Sequence, residues 1–260
     1  MADTVVDAPP HDGRMSLMEH LVELRSRIIK CAIAVAVGSA IGWIIYNPVL
    51  SWLREPLEAI SDDPNVSSKL RFLGPMDGFM FRIKVSAYLG IAVCMPYLLW
   101  QLWRFISPGL YQNERRYASA FVFSASALFV MGAYVAYFTL PAALGFLTSV
   151  GGDDVSYEFT PEKYVMLIVY MMLAFGVGFE FPIVLVALQL VGIIKPQQLR
   201  DFRRFGIVII FVIAAVITPS ADPISLSALA VPMMIFYEVS IVIGTVIVRR
   251  RAADELRSGA

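Results

Sequence analysis

Three acidic residues of this sequence lie in surroundings that make them candidates for chemistry. Glu114 comes directly before Arg115 and Arg116 in the stretch FISPGLYQNERR, between two long apolar runs. Glu180 lies inside an apolar run, in FGVGFEFPIVL, where an unsheltered charge within a membrane costs at least about 2.5–3.5 kcal/mol. Glu23 lies just before another apolar run, in SLMEHLVELRSRI. Each of these carboxylates needs a physical reason to be there.

The residues alone leave two interpretations open for Glu180. It is either a protonated carboxyl bonded to backbone that Pro182 frees, or part of a water-accessible pocket that handles a proton or an ion. Glu238 raises the same question, although it lies nearer the end of its run and can reach the interface more cheaply. Glu23, taken alone, is most simply a helix-surface partner for Arg27, worth about 0.3–0.5 kcal/mol.

Catalytic and metal-binding patterns are not found. The two histidines, His11 and His20, stand in no metal or triad arrangement, and the sequence has no HExxH, GxSxG or phosphate-binding glycine loop. The two cysteines, Cys31 and Cys94, fall inside apolar runs and are typical of buried small hydrophobes. We therefore expect neither an enzyme nor a metal or cofactor site.

The composition indicates what kind of protein positions these acids. Of the 260 residues, 58% are hydrophobic and only 16% are charged, whereas soluble domains are near half apolar and about a quarter charged. The mean hydropathy is +0.70. The 21 basic and 21 acidic residues cancel, so net charge points to no nucleic-acid partner. The sequence predicts an all-α integral membrane protein with several spans.

Six apolar segments are predicted to cross the membrane as one domain, residues 16–248. A crossing helix needs about 20 residues, and the fifth run has only 14, about 21 Å of helix. The sixth run contains Pro232 and Glu238. We therefore expect the last two spans to be short. The predicted spans are 28–46, 85–106, 118–140, 164–191, 205–218 and 224–248.

The distribution of basic residues predicts the orientation. Fifteen of the Lys and Arg residues lie before the first span, between spans two and three, between spans four and five, or after span six. The other six lie on the opposite side of the membrane, together with most of the loop acids. By the positive-inside rule both termini are cytoplasmic. We expect a disordered cytoplasmic tail at 1–15 and a basic cytoplasmic tail at 249–260. Two long outer loops, 47–75 and 141–161, are predicted to fold as caps.

Four motifs occur in order along the chain: HLVELRSR at 20–27, WRFISPGLYQNERR at 103–116, FGVGFEFP at 175–182 and TPSADP at 218–223. Together they resemble the TatC family, the core subunit of the twin-arginine protein translocase. The resemblance covers roughly residues 17–248. It implies a concave six-helix bundle in the cell membrane that binds signal peptides with two consecutive arginines.

The resemblance also implies roles for particular residues. Glu23 and Glu114 match the twin-arginine site, which answers why Glu114 stands beside two arginines: two carboxylates match the planar guanidinium forks of two arginines. Arg25 and Phe105 match positions near the same surface. Glu180 matches an intramembrane polar position. Two further residues match positions of the outer loops or of partner docking, namely Pro56 and Asp222.

The implied partners are the signal peptides of folded precursor proteins, single-span TatA- and TatB-type subunits, further copies of the chain and membrane lipid. Transport would be driven by the proton-motive force. The alternative from another class is a proton-coupled small-solute transporter that uses Glu180. The polar motifs cluster at the cytoplasmic rim, whereas transporter sites lie near the midplane and usually come with internal repeats. This clustering favours the export protein.

Overall fold

The computed structural model describes residues 17–58, 66–67, 70–106, 118–150 and 157–258. The described chain is helical apart from two very short strands. The tail expected at 1–15 lies outside these residues. The elements are α1 (Leu17–Ile44), α2 (Tyr46–Glu58), β1 (Val66–Ser67), α3 (Asp77–Ile106), α4 (Ala118–Val150), β2 (Tyr157–Glu158), α5 (Pro161–Phe179), α6 (Phe181–Leu190), α7 (Pro196–Asp201), α8 (Arg203–Ile217) and α9 (Pro223–Ser258).

The membrane-spanning character predicted from the sequence is confirmed. Five segments of the described chain are long and apolar enough to cross a bilayer. They lie in α1, α3, α4, the combined α5 and α6, and α9. Helix α8 is short, as expected: its 15 residues extend about 22 Å, against a hydrocarbon core of about 30 Å.

The residues before the first apolar run and the run itself form one continuous helix, α1, which packs mainly on α3. Small residues let the two backbones approach closely. A Cβ added at Gly42 would lie 2.6 Å from the carbonyl oxygen of Ser86, and one at Gly90 would lie 2.5 Å from the backbone nitrogen of Ser39. Elsewhere α1 is open, with only 11% of its membrane segment buried. Its position therefore depends on the contact with α3.

The combined span of α5 and α6 is the centre of the bundle, with 56% of its membrane segment buried. It packs against α4 on one side and α9 on the other. Phe175 and Phe179 are almost fully enclosed, and Phe179 meets Phe236 of α9 edge to face with 5.2 Å between ring centroids. The helix bends between Glu180 and Phe181, directly before Pro182. The core thus surrounds the segment that carries Glu180.

The two outer loops meet, as expected of caps. Val66 pairs with Tyr157 and Ser67 with Glu158 in a short parallel ladder. In the first loop α2 buries Leu53 and Leu57 against the core. The first loop therefore contains a helix packed against the core, as a cap requires.

Three helices extend further than the apolar runs predict. Helix α3 begins at Asp77, before the expected start at 85. The two basic side chains in this added part have partners: Arg82 lies over the Trp43 ring, and Lys84 pairs with Glu162. The carboxylate of Asp77 accepts a hydrogen bond from the Gly74 N–H at 2.7 Å. This contact holds the turn that leads into the helix.

Helix α4 continues past Pro141 to Val150, ten residues beyond the expected end, and buries Ala143 and Leu144. Helix α9 is continuous through Pro232 to Ser258. It is therefore 36 residues long, where the sequence favours a short last span followed by a tail. A proline removes one backbone hydrogen bond, and packing against neighbouring helices can outweigh that loss in a membrane protein.

Candidate functional site

The N-terminal part of α1 carries an ion pair between Glu23 and Arg27. Arg27 Nε donates to Glu23 Oε1 at 3.0 Å, and Arg27 Nη2 donates to the same oxygen. The pair is shielded, with side chains only 13% exposed for Arg27 and 20% for Glu23. The i, i+4 pairing predicted from the sequence is present. Its surroundings, however, are not those of an open helix surface.

Arg27 also connects α1 to the last turns of α3. Its Nη1 donates to Gln101 Oε1 at 3.1 Å, and its Nη2 donates to the backbone carbonyl of Arg104 at 3.1 Å. Gln101 is buried, with 5% exposure. Hydrogen bonds to charged groups are worth about 1.5–3 kcal/mol each, more than an exposed helix pair. Arg27 thus fixes Glu23 relative to the end of α3.

Glu23 keeps one oxygen available. Its Oε2 is buried and has no hydrogen-bond partner among the described residues. A buried carboxylate oxygen without a donor is costly, so such an atom indicates a place where a donor binds. A guanidinium is a donor suited to that oxygen.

Two of the other residues of the expected site lie within the described helices. Arg25 is exposed on α1, and Phe105 is partly buried in the last turn of α3. Glu114 lies outside the described residues, in the segment 107–117 that joins α3 to α4. The structure therefore brings Glu23 and the end of α3 together through Arg27, whereas Arg25 lies two residues from Glu23 on a different side of α1 and Glu114 stays a prediction.

Glu180 lies deep in the bundle, where α5 ends and α6 begins. It is 8% exposed, and its Oε1 is buried with no hydrogen-bond partner in the described part of the chain. The backbone N–H of Glu180 donates to the Val177 carbonyl at 3.1 Å. Pro182 has no N–H to donate to the Gly178 carbonyl four residues earlier. The carboxyl remains a polar group in need of a partner.

A cavity of about 670 Å³ opens between the N-terminal ends of α3 and α5. Phe72, Met166 and Tyr170 are among its lining residues, and Glu180 is not. The cavity therefore gives no route from this side to the buried carboxyl.

Pro56, the candidate residue of the outer cap, lies inside α2 and is buried. Proline has no N–H, so it leaves the carbonyl four residues earlier without its helical partner. That carbonyl belongs to Trp52, and it accepts a hydrogen bond from the Tyr137 hydroxyl at 3.1 Å. The Trp52 and Tyr137 rings also stack, with centroids 4.2 Å apart. Pro56 thus helps to attach the cap helix to α4.

Asp222, the candidate docking residue, caps the start of α9. Its Oδ1 accepts from the Ser225 N–H at 2.7 Å, and its Oδ2 accepts from the Ser220 hydroxyl at 2.5 Å. Burial alone would raise the pKa of Asp222, but these hydrogen bonds outweigh it and hold the pKa below its usual range. The structure accounts for this acid as a helix cap, and a docking role stays a prediction.

The sequence pattern predicts no role for Gln101, and for Arg27 it predicts only a helix-surface pair with Glu23. The signal for Gln101 was a lone amide in the apolar stretch LLWQLWRF. Among the described residues, no group of three or more His, Cys, Asp or Glu side chains is arranged to hold a metal ion.

With this geometry in place, comparison with known proteins gives the family. The model of the family "Sec-independent protein translocase protein (TatC)" matches residues 19–232. The chain belongs to the TatC family. Membership of a translocase family confirms the predicted class, a membrane protein of protein transport, over the small-solute transporter.

Curated TatC proteins are similar to this chain over most of its length. The TatC of Frankia casuarinae is 38% identical over 249 residues, which cover 93% of this chain and 68% of the relative. The TatC of Aquifex aeolicus is 38% identical over 240 residues, covering 91% and 98%. Both are named Sec-independent protein translocase protein TatC.

Solved TatC structures share the fold. A crystal structure titled as the twin arginine translocase receptor TatC superposes with a TM-score of 0.71 at 38% identity, covering 88% of this chain and 99% of that chain. A second, of the same receptor in DDM, gives a TM-score of 0.73. The all-α membrane fold inferred from the sequence is therefore confirmed.

Proposed function

We propose that this chain is the signal-peptide receptor of a twin-arginine translocase. The observation that carries the proposal is the unpartnered, buried Oε2 of Glu23, held beside the end of α3 by Arg27. The solved structures that share its fold are titled as such a receptor. Under this proposal Glu23 binds one arginine of the peptide and Glu114 binds the other, while Arg25 and Phe105 contact neighbouring parts of the peptide.

The proposed orientation places both termini in the cytoplasm of a cell whose plasma membrane holds the protein. It rests on the excess of basic residues on that side of the membrane. The peptide then meets the protein on the cytoplasmic side, where precursors are made. TatA- and TatB-type single-span subunits are the proposed partners, and the proton-motive force is the proposed source of energy.

Glu180 is proposed as the intramembrane polar site of this machine. A buried carboxyl oxygen without a partner has a strong tendency to gain a hydrogen bond, and inside a membrane that donor must come from protein or trapped water. A polar side chain of an incoming partner helix or of the inserted signal would supply it. Pro56 and Asp222 are proposed to act indirectly, by fixing the outer cap and the start of α9.

The test is crosslinking of a twin-arginine signal peptide to the protein in membranes. Wild type is compared with the double variant Glu23→Gln and Glu114→Gln, which keeps side-chain size and removes both charges. A lysine–lysine peptide is the ligand control. Glu158→Gln, an exposed acid on the outer loop, is the matched protein control.

We expect arginine-dependent crosslinks that the double variant loses and Glu158→Gln keeps. Two discriminating carboxylates, at about 1.5–3 kcal/mol for each charged hydrogen bond, predict a loss of at least about 100-fold in affinity. Equal crosslinking of both peptides by wild type and double variant would refute the proposed site.

A further inference from the structure

A cluster of basic side chains lies where α7, α8 and α9 meet. Two hydrogen bonds join α7 to α9: the Tyr237 hydroxyl donates to the Leu199 carbonyl at 2.7 Å, and Arg200 Nη2 donates to Thr245 Oγ1 at 3.5 Å. Arg249 follows Thr245 by one helical turn on α9, so it lies on the same side of that helix. The bases of the cluster are Lys195, Arg200, Arg203, Arg204 and Arg249.

Only one of these bases is neutralised by an acid in the described part of the chain. Arg203 pairs with Glu238 at 2.7 Å. The other acid nearby, Asp201, accepts a hydrogen bond from Gln197. The remaining bases, Lys195, Arg200, Arg204 and Arg249, are exposed and have no ion pair within the described residues. The cluster therefore keeps an excess of positive charge with free donors.

The depth of the cluster indicates which anion it meets. Phe202 and Phe205 lie among the bases, stacked with centroids 5.3 Å apart and 48% and 64% exposed. Further along α8 the exposed face is purely apolar at Val208, Val212 and Val216. Exposed Phe side chains favour acyl chains, and beside Lys and Arg they are typical of a helix that lies at the boundary with the headgroups. The bases thus lie at the level of lipid headgroups, where an apolar helix face ends.

We propose that Arg200, Arg204 and Arg249 bind the phosphate of an anionic phospholipid. Arg200 is held in place by Thr245, which leaves its other N–H groups to donate to a phosphate oxygen. The acyl chains would lie along the apolar face of α8. Because α8 is too short to match a bilayer by itself, a lipid fixed at its start would also stabilise its position. This site is separate from Glu23 and does not rest on the receptor function.

The test measures lipid binding to the purified full chain in a mild detergent by native mass spectrometry. Dioleoyl phosphatidylglycerol is the probe, and dioleoyl phosphatidylcholine is the control lipid with the same acyl chains. The variant is Arg200→Gln with Arg249→Gln. Its matched control is Arg54→Gln with Arg71→Gln, two exposed arginines of the outer side.

Each base near a membrane surface contributes about 1 kcal/mol toward an anionic lipid. The cluster variant is therefore expected to bind phosphatidylglycerol about 30-fold more weakly, which is about 2 kcal/mol at 1.4 kcal/mol for each tenfold. The outer-side control should keep wild-type affinity, and phosphatidylcholine should bind all three proteins alike. Millimolar inorganic phosphate should displace little of the lipid, because it lacks the acyl chains.

Unchanged phosphatidylglycerol affinity in the cluster variant would overturn the proposal, and so would an equal loss in the outer-side control. Complete displacement by inorganic phosphate would mean a site for free phosphate in place of a lipid. Arg204→Gln with Lys195→Gln provides a second variant of the same cluster, should the first fail to fold. Retained selectivity in a folded second variant overturns the proposal equally.

Discussion

The seam between α4 and α5 supports the segment that carries Glu180, and one glycine decides how closely the two helices approach. A Cβ added at Gly132 of α4 would lie 2.4 Å from the carbonyl oxygen of Phe175 and 3.0 Å from the Cα of Gly176. Ordinary contact begins near 3.4 Å. Both neighbours are backbone atoms, which cannot rotate away. The variant Gly132→Ala must therefore push the helices apart by about 1 Å in a densely packed interior.

Overpacking of this kind costs about 1–3 kcal/mol. For a chain of this size each kcal/mol lowers Tm by about 2–4 °C, so we expect Gly132→Ala to melt roughly 2–12 °C below wild type. The assay is thermal unfolding of the purified protein in a mild detergent, followed by far-ultraviolet circular dichroism.

Gly145 provides the matched control on the same helix. It is exposed, and a Cβ added there would meet nothing within 4 Å. Gly145→Ala should therefore be neutral or stabilising, because alanine favours the helix by up to about 1 kcal/mol over glycine. If the two variants melt at the same temperature, the close approach at Gly132 is not what holds α4 and α5 together.

Two further predictions concern the start of α9 and the contact between α2 and α4. Asp222→Ala removes the cap of α9 and should cost about 1 kcal/mol at neutral pH. Because hydrogen bonds such as that from Ser225 hold the pKa of Asp222 low, the stability they give is present above the pKa of about 3.9 in the unfolded chain and is lost as pH falls through the lower folded pKa. The stability difference between the variant and wild type should therefore shrink below about pH 4, and a pH-independent difference in melting curves would contradict this. Tyr137→Phe removes the donor to Trp52 and should cost about 0.5–1.5 kcal/mol, with faster hydrogen exchange confined to α2; unchanged exchange there would show that the hydroxyl does not hold the cap.

The sequence predicts the spans well where apolar residues run unbroken, and less well where charged residues or prolines interrupt them. Hydropathy ends a span at a charge, yet Arg82 and Lys84 lie within α3 because Trp43 and Glu162 accommodate them. Those partners are distant in the sequence, so a local pattern cannot reveal them. Pro141 similarly does not end α4, because the residues after it pack against the core.

In the candidate site, too, one residue could be predicted from the sequence and its partners could not. Glu23 could be singled out from the sequence through the motif around it, which resembles that of a known family; taken alone it indicates only a helix-surface pair with Arg27. Its partners could not, because Gln101 is 74 residues from Arg27 along the chain. The burial that leaves Glu23 Oε2 without a donor is likewise a property of the packed helices, not of the local sequence.

The contacts of Arg27 determine whether Glu23 can serve a ligand at all. An arginine beside a carboxylate normally binds both oxygens in a bidentate pair, and Arg27 in that geometry would occupy the site itself. Here Arg27 Nη1 donates to the side-chain oxygen of Gln101 on α3. Arg27 Nη2 donates to the backbone carbonyl of Arg104 as well as to Glu23. Arg27 is thereby directed to Oε1 alone, and Oε2 stays open. Under the proposed receptor function, the buried amide of Gln101 thus keeps Glu23 available for a guanidinium of the signal peptide.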